Sequence, residues 1–349
     1  FFSRPKSLAS GALGFGAIAS LFFVLIASPG NAATVSHSNN QCLTTVDNNA
    51  GVSVVLDAGW CIVTFTRVGS LTWTVPAGVT HLDGFLVGGG GGGSGLWGGG
   101  GGAGGVVMFT GLAVGQSSYV IGVGGGGAGQ GSGGGDNGQA SWFHAYEAWG
   151  GGSGGAYGYM NNVSAAGRAG GSGGGTSETS YAWVYGGNGS QTSYSSDTKG
   201  AETVSTYGNR GGNQYINASQ AGGGGGGAAG QGGDVSVYRQ PGNGGNGVKI
   251  TYSSQVFRVA AGGGGGSYQR SAGGAGGSVD GIRLGGEGVN AWPGDPNPVG
   301  QAGVANTGSG GGGARQKCNW RKLGWNHHIH NRQRSWSYHP WGIFNTTHF

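Results

Sequence analysis

Residues able to do chemistry are sparse in this chain, and their spacing argues against most reactions they could support. Between residues 34 and 314 the only histidines are His37, His81 and His144, and no Ser or Cys stands beside a base in a nucleophile elbow. G-x-G-x-x-G recurs, but glycine fills 91 of 349 positions, so composition alone produces the pattern. A dinucleotide fingerprint also needs a preceding strand, an opening helix and an acidic residue about 20 positions on. No amphipathic helix pattern accompanies any copy between 88 and 314. Gly131 to Asp136 comes within one mismatch of G-G-x-G-x-D, yet calcium binding of that kind needs the motif repeated, and no second copy follows. His327, His328 and His330 offer nitrogen ligands for a transition metal, but they lie in a tail unlike the rest of the chain. Arg210-Gly-Gly is the single arginine-glycine instance. The sequence predicts a non-enzymatic protein with no catalytic residues, no metal and no cofactor.

Binding is better represented than catalysis. Trp142, Tyr146, Trp149, Tyr157, Tyr159, Tyr181, Trp183 and Tyr185 stand among Gly, Ser, Asn and Thr between 141 and 220. Tyr and Trp with small polar neighbours make the adaptable contact surface that antibody loops use. Any one of these aromatics can equally pack inside, because buried rings dominate core energetics. As a group they are the candidate binding residues, with a glycan or a cell-surface protein as candidate partner. Deleting 141–220 is accordingly expected to leave the fold and remove binding.

Cys42 and Cys61 are the only cysteines before the tail, where the third, Cys318, lies. In an oxidising compartment such a pair bridges, and closing a loop of about 20 residues restricts the unfolded chain by about 3 kcal/mol. The compartment is read from residues 1–33. Arg4 and Lys6 precede an apolar run from Leu8 to Ile26, and small residues follow around Ala32 and Ala33. That is the layout of a secretory signal peptide cleaved after Ala32 or Ala33; left uncleaved, it would be the protein's one tie to a membrane. The protein is expected to be secreted, extracellular or displayed on a cell surface.

Strands must position these residues. Leu71, Trp73 and Val75 alternate with Thr72 and Thr74, which gives one apolar and one polar face. Val52–Leu56, Ile62–Arg67, Leu82–Val87, Val106–Phe109, Tyr119–Ile121, Val235–Tyr238, Val248–Tyr252 and Val256–Val259 are further strand candidates. Between them run the glycine tracts, which hold 80 of the 91 glycines within residues 88–314. There is no Gly-X-Y period, so collagen is excluded. Charged residues are 8% and aromatics 10%, a poor match to a disordered chain. Residues 34–314 carry a net charge of −3 while 315–349 carry +6, so the basic balance belongs to the tail and nucleic-acid binding is not expected.

The run Cys61-I-V-T-F-T-R-V-G-S-L-T-W-T-V-P-A-G-V-Thr80, followed by Phe85-L-V-G-G-G-G-G-Gly93, resembles the start of a bacterial secreted glycine-rich domain family. Similar domains occur in phage tail adhesins. Gly104–Val107, Ser118–Gly127 and Ala305–Gly313 match too, so the resemblance covers about 60–314. It implies an all-β fold with a glycine-rich polyproline-II (polyglycine II) helix bundle and little or no α-helix outside the signal peptide. It implies no catalytic residues.

Physics makes such a bundle intelligible. A polyproline-II helix has three residues per turn and no internal hydrogen bonds, so neighbouring helices must satisfy its backbone. Ordering each residue costs ~1–2 kcal/mol against ~0.5–1.5 kcal/mol per hydrogen bond, so the strands must anchor the tracts. Leu96 and Trp97 are expected to mark the turn between two tracts. The chain divides into a signal peptide (1–33), an N-terminal extension with a short strand (34–60), a glycine-rich β/polyglycine-II domain (61–314) and an aberrant basic tail (315–349). The tail holds four of the eleven tryptophans and five of the eight histidines, and reads as a frameshifted or disordered addition. The expected function is a secreted structural or adhesion protein. The alternatives are a phage-type receptor-binding adhesin and a flexible extracellular spacer.

Overall fold

In the computed structural model the described residues are 23–29, 51–57, 60–76, 78–95, 97–131, 133–157, 165–178, 183–191, 201, 203–215, 220–268, 272–291 and 300–314. The chain divides into two compact units, Phe1–Gln316 and Lys317–Phe349, and every described residue belongs to the first. No described helix is long and apolar enough to cross a membrane.

The named elements are all β. The main sheet contains β1 (Phe23–Pro29), β2 (Val52–Asp57), β3 (Trp60–Phe65), β5 (Val79–Val87), β6 (Val106–Ala113) and β10 (Thr203–Tyr207). Its order is β10-β6-β5-β1-β3-β2, antiparallel throughout. A second sheet, β4-β7-β8-β9, joins β4 (Gly69–Thr74), β7 (Ser118–Val123), β8 (Ser141–Phe143) and β9 (Tyr146–Ala148). The alternation read from the sequence holds on β4, where Leu71 and Trp73 are buried and Thr74 is exposed. The apolar end of the segment expected to be a leader is drawn into the main sheet as β1.

The two sheets pack face to face through aromatic rings. Phe65 meets Trp73 edge-on at 6.2 Å, and Phe109 stacks on Phe143 at 5.9 Å and on Tyr146 at 5.1 Å. On the main sheet's other face, the hairpin of β11 (Val248–Tyr252) and β12 (Gln255–Val259) covers Phe85. Tyr252 stacks on that ring at 6.1 Å and Phe257 tilts against it at 5.3 Å. Both faces of β5 are therefore buried, and Leu82, Phe85, Leu86 and Val87 are each 0% exposed. Short pairs complete the elements: β13 (Ser267–Tyr268) with β16 (Asn290–Ala291), and β14 (Ser278–Val279) with β15 (Ile282–Arg283).

The strand expected at Val235–Tyr238 does not form. Val235 makes only an isolated bridge with Gln214, and the chain then turns, with Gln240 N–H donating to Val237 O and Arg239 in the left-handed region at φ +62°. Among the longer strands, β1, β8, β9 and β10 escaped the sequence reading, which placed β1 in the leader.

The glycine tracts bond sideways to one another. All eight N–H groups from Gly98 to Gly105 donate to other stretches, and their partners repeat every third residue. Gly98, Gly101 and Gly104 donate to Ala314, Gly311 and Gly308, while Gly99, Gly102 and Gly105 donate to Gly155, Gly152 and Trp149. Gly100 and Ala103 donate to Gly223 and Gly226. Carbonyls of the same tract accept from Gly88, Gly91 and Ser94, from Ser172 and Gly175, and from Gly263 and Gly266. One tract thus touches six others. Its donors are satisfied without a helix or a ladder.

Glycine is required there for space. Gly308 apart, the glycines with positive φ lie outside these tracts. Instead, a Cβ on Gly101 would sit 2.1 Å from Gly91 O, and one on Gly100 would sit 2.1 Å from Gly263 O. At these two positions the facing backbone comes too close for any side chain.

Candidate functional site

The sequence-predicted aromatics separate into a core residue, two surface pairs and one ring packed beside Trp97. Tyr146 is a core residue, which corrects its placement on the binding surface. It is 1% exposed, its ring stacks on Phe109, and its hydroxyl accepts from Ala201 N–H at 3.2 Å. A ring held on two sides by the sandwich has nothing left to offer a partner. Tyr159, Tyr181 and Cys42 lie outside the described residues, as does the tail with its histidines. Cys61 is disulfide-bonded.

Trp142 and Trp149 are both exposed at the β8–β9 hairpin of the second sheet. β8 and β9 form a hairpin around His144, which takes φ +51°. Side chains alternate across a strand, so burying Phe143, Tyr146 and Ala148 turns Trp142 and Glu147 outward. The two are register partners. Trp149 follows two positions after Glu147, just past the end of β9. Trp142 is 37% exposed and Trp149 39%. Trp142 lies across Gly122 of β7, where a Cβ would be 2.1 Å from the indole Nε1; the glycine is what lets the ring lie flat. Gln191 clamps the end of β9: its amide oxygen accepts from Trp149 N–H at 2.8 Å and its amide nitrogen donates to Glu147 O at 2.9 Å. The result is two tryptophans flanking a carboxylate on a fixed backbone, with exposed Val120 alongside.

A second aromatic group forms around Val184. Val184 is buried and bridges Gln214, so Trp183 and Tyr185 on either side of it point out, at 51% and 68% exposure. Trp183 meets Tyr215 edge-on at 4.6 Å. The Tyr215 hydroxyl donates to Asp234 at 3.1 Å, and Asp234 also accepts from Arg210 at 2.9 Å and Asn213 N–H at 2.8 Å. Burial pushes the Asp234 carboxyl up, but these donors outweigh it and hold it below the ordinary range. The ion pair with Arg210 therefore fixes Tyr215, and Tyr215 supports Trp183. Sequence reasoning missed Arg210, Tyr215 and Asp234, because their meeting depends on isolated bridges that no periodicity announces.

Tyr157 belongs to neither surface. It packs edge-on against Trp97 at 4.8 Å, with Trp97 at φ +54° where the chain turns between tracts. The chain turns at Trp97 as expected, with its ring half-buried, while Leu96 lies outside the described residues.

Among the described carboxyl groups, Glu178 is the one whose titration is strongly displaced upward. It is 4% exposed, and burial pushes its carboxyl up to about 7 despite a backbone hydrogen bond from Gln220. Such a shift can mark an acid–base catalyst. No set of three His, Cys, Asp or Glu residues able to hold a metal occurs among the described residues. A shallow groove of ≈470 Å³ lies between Val237–Asn243 and Ala272–Gly274, where Arg239 lies 4.7 Å from the Tyr238 ring centre.

Residues 141–220 are not a detachable loop region. β8 and β9 complete the second sheet, and Ser172 and Gly175 bond to the central tract. Deleting the segment would remove strands and a bundle member together, contrary to the expectation from sequence.

The architecture defines an all-β protein in which glycine tracts pack beside a strand sandwich. The profile of the family described as Glycine-rich domain matches residues 65–324, and the chain belongs to that family. No curated protein and no solved structure matches it.

Proposed function

We propose that this chain is a secreted, non-enzymatic recognition protein of the cell surface, binding glycans through the Trp142–Glu147–Trp149 face. The carrying observation is the pair of exposed tryptophans flanking a carboxylate on a clamped hairpin. Indole faces stack on the apolar C–H faces of sugar rings, and a carboxylate between them accepts hydroxyl hydrogen bonds. Cross-strand and diagonal neighbours on a sheet lie roughly 5–8 Å apart, which suits adjacent units of a saccharide. Trp183 and Tyr185 offer a second contact.

The glycine tracts, on this reading, are polyglycine II helices. The three-residue repeat of hydrogen-bond partners and the six neighbours of Gly98–Gly105 support that reading. A bundle of this kind serves as a rigid base for the recognition face, which disfavours the flexible-spacer alternative. A glycan array probed with the wild type and with Trp142→Ala/Trp149→Ala tests the site. The expected outcome is loss of bound glycans with an unchanged far-ultraviolet circular dichroism spectrum. An undiminished array signal from the double variant would refute the assignment.

A further inference from the structure

The strand β1 carries two roles that cannot both persist in a processed molecule. It lies between β3 and β5, forming five register pairs with β3 and seven with β5. The same residues, Phe23–Pro29, span the end of the apolar run of the proposed export leader and the three residues after it. Cleavage after Ala32 or Ala33 would take the strand away.

What would remain is a slot in the middle of a sheet. β1 is antiparallel to both neighbours, so β3 and β5 run parallel to each other. Two strand spacings put them about 10 Å apart, beyond direct bonding. Their residues beside the slot are core residues: Ile62, Val63, Phe65, Leu82, Phe85 and Leu86 are each at most 1% exposed. Drawing β3 toward β5 would pull Phe65 off Trp73, its partner in the sandwich. The slot is therefore held open by packing on both faces, and its walls carry unpaired backbone donors and acceptors.

We infer that the gap between β3 and β5 is a strand-acceptor site, which in the processed protein takes an extended strand donated by another polypeptide. The inference rests on the export reading. The donor's chemistry follows from the slot. It spans about seven residues, antiparallel to both walls, in the manner of strand addition. Because the second sheet covers one face and the β11–β12 hairpin the other, the donor must be apolar at consecutive positions. It must also lack charge and carry no proline before its end. Phe-Val-Leu-Ile-Ala-Ser-Pro, the chain's own β1, meets these terms, with Pro29 at the last pair beside a register shift.

The test uses protein secreted and processed by an expressing cell, with its N-terminus fixed by intact mass. A synthetic peptide of Phe23–Pro29 bearing a short lysine tag is titrated into it. The expected result is saturable one-to-one binding, with amide exchange in Cys61–Phe65 and Leu82–Leu86 slowed by roughly two orders of magnitude. A peptide carrying Leu25→Pro loses a central donor and should bind at least roughly tenfold more weakly. Processed protein that ignores the peptide and already protects those amides would overturn the inference while leaving the export reading intact. Secreted protein whose mass still includes Phe23–Pro29 would overturn both.

Discussion

The sandwich and the glycine bundle solve the same problem with opposite materials. Large side chains fill the space between the two sheets and beneath the β11–β12 hairpin, and Trp73, Phe65, Phe85, Phe109, Phe143 and Tyr146 are the largest fully buried ones. In the bundle there is almost no side chain to bury, and backbone hydrogen bonds between tracts take its place. Removing apolar area is worth roughly 25 cal/mol per Å², whereas a net hydrogen bond returns about 0.5–1.5 kcal/mol and ordering glycine costs more than ordering any other residue. The sandwich therefore stabilises the fold and the bundle relies on it. Tracts are attached directly to strands: β5 ends at Val87 and Gly88 begins the first tract, while Gly105 ends the second and Val106 begins β6.

Cutting into the sandwich gives the largest expected effect. Phe109→Ala removes a ring stacked on both Phe143 and Tyr146 and should cost about 3–5 kcal/mol. Urea denaturation followed by tryptophan fluorescence measures it. The comparison predicts that bundle amides lose protection together with the strands. Exchange that spares Gly98–Gly105 in this variant would show that the bundle stands by itself.

Adding one methyl group inside the bundle comes next. In Gly101→Ala the new Cβ would meet Gly91 O at 2.1 Å and Gly91 C at 2.6 Å. The obstacle is backbone, which cannot rotate away, so the cost should reach about 3 kcal/mol, the upper end for overpacking. Hydrogen exchange should speed up first in the tracts bonded to Gly98–Gly105, with β3 and β5 following only when the whole unit opens. A variant as stable as the wild type would mean that the tracts are not packed as described.

Glu178 provides a pH-dependent probe of the same region. Its folded value of about 7 lies above the ordinary 4.5, so the folded state holds the proton more tightly than the unfolded one. Stability from this group is full below about pH 4.5 and is lost as pH rises toward 7. At 1.36 kcal/mol per unit, the loss is about 3 kcal/mol. Glu178→Gln should flatten that part of the stability profile between pH 4.5 and 8, measured by urea midpoints at each pH. An equal slope in both proteins would count against burial of this carboxyl.

Legibility in the sequence follows the same division. Strands that bury one face declared themselves by alternation, as in Leu71-Thr-Trp73-Thr-Val75, and β3, β5, β6, β7, β11 and β12 lie where apolar and β-branched residues cluster. β8 and β9 are three residues each around His144, too short for a period to show, and their aromatics read as a surface group. Only the pairing of Trp142 with Glu147 and the burial of Tyr146 sorted that group into surface and core. β10, Thr203–Tyr207, hid in a polar composition because just Val204 and Thr206 are half-buried. The bundle's three-residue order is invisible for a simpler reason. A glycine run has no side chains to distinguish one face from another, so nothing in it names the tract opposite.

The smallest predicted effect uses the same substitution to separate the two regions most cleanly. Gly115 lies between β6 and β7, does not take a positive φ, and a Cβ added to it would meet no atom within 4 Å. Its N–H donates to the Tyr119 hydroxyl at 3.0 Å, which alanine preserves. Gly115→Ala should therefore stabilise the fold by about 0.4–1 kcal/mol, through the entropy taken from the unfolded chain. Set beside Gly101→Ala, one methyl group would change sign between a connection and the bundle. Thermal unfolding of the two variants in parallel reads both signs. A destabilised Gly115→Ala would mean that glycine is needed here for conformation, and that space alone does not explain where this chain places its glycines.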